Sequence, residues 1–70
     1  MKKIKEFKLD CECFEDLAVK QGIAINSRED GIDKSTYEIT TKDGRSLHVV
    51  ETSMPYAPDA YVTTIEVYER

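Results

Sequence analysis

No apolar run in this chain approaches the ~20 residues that a membrane-spanning helix needs. The chain also has little of what site chemistry usually draws on: one histidine, two cysteines, three glycines and two prolines in 70 residues. Charge at Lys5, Glu6 and Lys8 interrupts the N-terminal apolar residues, which is not the pattern of a secretory signal. Cys11 and Cys13 stand too close together for a disulfide that would restrict much chain, so a secreted, disulfide-built scaffold is excluded. They read as two small buried hydrophobes in a reducing cytoplasm. Zinc would want about four ligands, and His48 is a lone donor in a distant segment, so no metal is expected. Gly22, Gly31 and Gly44 are scattered singly, each where a turn or helix cap would use one, and form no phosphate-binding loop.

What the chain does have is charge, 34% of its residues, against 40% hydrophobic ones. That balance predicts one folded domain over residues 1–70, near the lower size limit for independent folding. The net charge of −4 argues against general attachment to nucleic acid or anionic lipid. The charge is uneven: residues 1–9 carry four lysines against Glu6, whereas the remainder carries six basic and thirteen acidic side chains. Edge-strand lysines that discourage strand-to-strand aggregation explain the basic segment without a phosphate ligand.

Phe7 and Leu9 alternate with Lys8 and Asp10, predicting a strand over about residues 2–9. Phe14, Leu17, Ala18 and Gln21 then fall at helical spacing. A helix of about three turns over residues 11–21 follows, with Asp10 as N-cap and Gly22 as left-handed C-cap, letting Ile23 fold back on Val19. Ile23 and Ile25 suggest a short extended segment. The acidic run from Ser27 to Asp33 lacks the ligand spacing and terminal Glu of a calcium loop and reads as a solvated turn. Tyr37 and Ile39 share one strand face. Beyond Lys42-Asp43-Gly44, Leu47 and Val49 face one way, and His48 and Val50 the other; this is the strongest hairpin signal in the chain. In the last strand Tyr61, Thr63, Ile65 and Val67 oppose Val62, Thr64, Glu66 and Tyr68. Met54 to Ala60, with its two prolines, reads as the loop before that strand, because proline is excluded from a central strand.

The expected fold is therefore α+β: a single helix on an antiparallel sheet of four to five strands, in the order β-α-β-β-β with one further strand allowed. One helix covers one sheet face. Val50, Val62 and Tyr68 lie on the other and make a modest apolar patch if they adjoin. So small a core makes a homodimer one natural remedy.

No catalytic residue and no cofactor are expected. His48 lies mid-strand with no nucleophile at an informative spacing, and the pair Cys11/His48 has no third group to orient it. The candidate binding residues are Met54, Tyr56, Asp59 and Tyr61, because Tyr and Met favour interface cores and a proline-stiffened segment loses less entropy on docking. The reading is a small acidic protein-binding module that modulates a larger partner, with an inhibitor that mimics nucleic acid as one form of it. The alternatives are a nucleic-acid accessory using the basic N-terminal strand and, third, a small enzyme.

Overall fold

A computed structural model describes residues Met1–Arg70. The chain forms β1 (Lys2–Asp10), α1 (Phe14–Gln21), β2 (Ala24–Asp30), β3 (Lys34–Thr40), β4 (Ser46–Ala57) and β5 (Ala60–Glu69). All five strands join one antiparallel sheet in the order β1-β5-β4-β3-β2. Strands β2 to β5 are a meander, and α1 carries the chain from one sheet edge to the other. The α+β class follows from the sequence periodicities: Tyr37, Ile39, Leu47, Val49, Ile65 and Val67 point to the helix and are buried. Val49 and Ile65 are fully buried, each contributing about 1.5–3 kcal/mol of apolar transfer.

The helix is shorter than its periodicity predicts, and Asp10 is not its cap. Asp10 still belongs to β1, opposite Val62, and the Cys11 N–H donates to the Tyr61 carbonyl at 3.0 Å. Sheet pairing therefore holds the chain extended through Cys11, whose left-handed φ of 52° makes the turn. Cys13 is the N-cap residue, without a side-chain capping bond. At the other end Gly22 adopts φ 68° as expected; its N–H reaches the Val19 carbonyl at 3.3 Å and the Ile23 N–H reaches that of Ala18 at 2.9 Å. Ile23 packs against the core, while Val19 remains 82% exposed.

Two further segments differ from expectation. The acidic stretch before Gly31 is strand, not turn, up to Asp30: Arg28 pairs with Tyr37, lays its guanidinium 5.4 Å from that ring, and forms ion pairs with Glu15 and Asp30. The stretch from Met54 to Ala57 is also strand. Here β4 outruns β3, whose last partner is Thr52, so Pro55 lies where β4 has a strand on one side only. The rule against central prolines is kept, because beyond Thr52 this strand is an edge.

The β3–β4 turn is as predicted, with Gly44 at φ 87° and the Gly44 N–H bonded to the Thr41 carbonyl. A Cβ at Gly44 would meet nothing within 4 Å, so the cost of substitution lies in the backbone alone. Gly44→Val is expected to lower stability by ~1–2 kcal/mol, read as a shifted denaturant midpoint at unchanged slope.

Candidate functional site

The four candidate binding residues are only partly brought together. Met54 and Tyr56 lie on the sheet face opposite the helix, 68% and 60% exposed, on the part of β4 that projects past β3. With Lys8, Thr52, Val62 and Thr64 they border a shallow groove of about 350 Å³. The Tyr56 hydroxyl donates to Asp10 Oδ1 at 2.9 Å, reaching toward β1, and this bond raises the phenol's pKa above its ordinary value. Asp59 sits exposed at the hairpin tip. Tyr61, opposite Pro55, belongs to the alternate set of β5 residues and so faces the helix side. There, desolvation and the neighbouring acidic groups push its pKa up. Strand alternation separates Tyr61 from Met54 and Tyr56, a separation that a loop over Met54 to Ala60 does not impose.

The same face does not carry the apolar patch considered above. Val50 lies opposite Glu66, Tyr68 opposite His48 and Val62 opposite Met54, with Thr52 and Thr64 between them. Val62 instead extends the Met54–Tyr56 surface. Near the opposite end, His48 Nδ1 is 2.5 Å from Glu38 Oε2, and Arg70 forms an ion pair with the same carboxylate. Burial raises the Glu38 pKa, but the bonds from His48 and Arg70 outweigh it and leave the group below the usual range. A depressed carboxylate pKa stabilises the fold above the unfolded value near 4.3 and loses that contribution as pH falls through the folded one. Acid titration of Glu38→Gln should therefore show a smaller loss of stability below pH ~4.3 than the parent chain does, read by thermal midpoints.

The basic N-terminal strand is divided by its pleat. Lys3 and Lys8 share the open face with Glu6, Asp10 and Glu66, and Lys3 forms ion pairs with Glu6 and Glu66. Lys5 is on the helix face. The lysines form no single stripe along which a phosphate backbone could run.

On the helix face, the residue that sequence reasoning missed is Glu51. It is 7% exposed, on the inward parity of Leu47 and Val49. Its Oε2 accepts the Phe14 N–H at 2.7 Å and its Oε1 accepts the Tyr37 hydroxyl at 2.8 Å. A side chain from the sheet thus caps the helix start that Cys13 leaves uncapped, where the helix dipole favours an anion. Burial and this bond push the Tyr37 phenol well above its usual pKa.

The cysteines are not the buried pair expected. Cys11 is exposed on its turn and Cys13 is half-buried, its thiol 3.4 Å from Asp16 Oδ2. Both leave the core because the chain turns off the sheet at Cys11. Both thiols are expected to react with a thiol reagent in the native state, Cys11 faster, and a kinetic trace of thiol modification checks this. No three His, Cys, Asp or Glu side chains gather as metal ligands would, and no helix is long and apolar enough to cross a membrane.

The helix side of the sheet has a second opening: an apolar groove of about 470 Å³ runs between β1 and the helix, over Phe7, Leu9, Phe14, Leu17, Ile23 and Val67. Lys5 and Arg45 border it. Neither a protein family, nor a curated protein, nor a solved structure matches the chain.

Proposed function

We propose that this chain is a small acidic, non-enzymatic protein-binding module that modulates a larger partner and docks through the projecting β4–β5 hairpin. The observation that carries this reading is the exposure of Met54 and Tyr56, side by side with Val62, on a strand segment that has no neighbour on its β3 side. An adaptable thioether and an aromatic ring on a pre-formed hairpin provide an anchor that needs little ordering on binding. Asp59 at the tip lies where a rim charge would steer approach. Tyr61, on the other face, belongs to the helix side of the hairpin and is no part of this anchor. The division of the lysines between two faces supports a protein partner over a nucleic acid.

The partner is to be captured on the tagged chain and its binding measured by surface plasmon resonance at two salt concentrations. Tyr56→Ala is expected to weaken binding at least ~tenfold, with the thermal midpoint nearly unchanged because the ring is exposed. Asp59→Ala should change mainly the association rate and its salt dependence. Wild-type affinity in Tyr56→Ala, together with loss of binding on reversing acidic surface charges, would transfer the function to an electrostatic mimic.

A further inference from the structure

We infer that the apolar groove beside the helix is a binding site for a monomeric straight-chain aliphatic carboxylate. It is lined by β1, the helix and the sheet strands β3, β4 and β5: Phe7, Leu9, Leu17, Leu47 and Val67, with Ile23 just past the helix, are brought to one side of the sheet, and Ile4, 40% exposed, stands at the border. A bulge between Lys3 and Lys5 lets Ile4 reach this site although strand alternation would assign it to the opposite face. The volume of about 470 Å³ falls among small-ligand clefts, and its few polar groups are concentrated at the edge.

The rim identifies the head group. Lys5 has no carboxylate partner, and its ammonium is held 5.3 Å from the centre of the Phe7 ring, at the groove. Arg45 also borders the groove, with one guanidinium nitrogen 2.9 Å from Glu69 Oε2, so its charge is already partly answered. One uncompensated cation and a guanidinium with further N–H donors suit a single negative charge able to accept two hydrogen bonds. An uncharged chain would leave Lys5 beside apolar surface without a counter-ion, and a cationic amphiphile would be repelled. In a chain of net charge −4, a positive rim at its largest apolar opening is the feature that selects an anion.

The test is isothermal titration calorimetry of the full chain with dodecanoate below its micelle concentration, with dodecyltrimethylammonium as the oppositely charged probe. Amide shifts by NMR locate the site. The expected result is saturable one-to-one binding of dodecanoate, with shifts at Phe7, Leu17 and Val67. Lys5→Glu should weaken it by about tenfold, and Ile4→Glu should weaken it comparably by placing an anion at the border. Both positions are exposed, and an unchanged thermal midpoint certifies the fold. Tyr56→Ala, on the other sheet face, should bind dodecanoate as the parent does, which keeps this site separate from the hairpin surface. Absence of saturable binding, equal binding of the cationic probe, or undiminished binding in a folded Lys5→Glu chain would overturn the proposal. So would sedimentation showing that a second copy closes the groove in the ligand-free protein.

Discussion

Glu51→Ala is expected to lower stability by about 3–5 kcal/mol, a large share of what a domain this small possesses. The substitution removes both acceptors at once. It leaves the Phe14 N–H and the Tyr37 hydroxyl buried and unpartnered, since Tyr37 is 1% and Phe14 2% exposed. Hydrogen bonds to a charged group contribute about 1.5–3 kcal/mol each, and an orphaned donor carries its own desolvation cost. Glu51→Gln separates geometry from charge. Its amide oxygen can accept the Phe14 N–H while its nitrogen donates to the Tyr37 oxygen, so each contact keeps one hydrogen bond, but the Tyr37 O–H loses its acceptor and the favourable charge–dipole interaction is lost. That variant should cost about 1–2 kcal/mol, less than Glu51→Ala. Urea unfolding of the two variants provides the measurement; equal losses would show that charge, not bond satisfaction, sets the effect.

Alkaline titration reports on the same cluster. The Tyr37 pKa is raised in the fold by burial first and by Glu51 second. A raised pKa contributes stability that is complete below the unfolded value of about 10 and is lost as pH rises toward the folded one. The parent chain should therefore lose stability above pH ~10 more steeply than Tyr37→Phe, whatever the offset between them at neutral pH.

Much of this arrangement was legible in the sequence, and the exceptions have specific causes. Alternation at Leu47/Val49 and Ile65/Val67 assigns inward faces because a one-residue slip would turn every apolar side chain to solvent. Asp43-Gly44 and Gly22 mark turns that require left-handed backbone, and both glycines adopt it. Glu51 carried a signal as well. It continues the parity of Leu47 and Val49, and a carboxylate at an inward position demands buried donors. Which donors it finds, at residues 14 and 37, is a tertiary fact outside any local pattern. The helix starts later than its spacing predicts because Asp10 and Glu12 resemble a cap and first turn, while pairing of Cys11 with Tyr61 decides where the sheet releases the chain. Proline at 55 made a strand look like a loop, because only the length of β3 tells that the strand beside it is by then an edge.

Phe14→Ala is the second change with a large expected effect, about 3–5 kcal/mol, enough to unfold much of the population at 37 °C. The helix has eight residues, too few to persist in water without tertiary packing. Only Phe14 and Ala18 of those residues are buried, so one large side chain carries most of the docking. Its ring meets Tyr37 at a centroid distance of 5.0 Å and a tilt of 46°, a geometry favourable to the two quadrupoles. Truncation opens a cavity over Tyr37 and removes a wall of the apolar groove, which Phe14 also lines. Phe14→Leu keeps most of the volume and should cost only ~1–2 kcal/mol. Urea midpoints together with amide exchange in the helix distinguish two ways of holding it. If Phe14→Ala loses less than ~1 kcal/mol and its helix amides stay protected, the Glu51 bond holds the helix by itself. If the Glu51 and Phe14 losses combine non-additively in the double variant, the cap and the ring act as one latch, because the carboxylate that receives the Phe14 N–H is placed by the Tyr37 hydroxyl under the same ring.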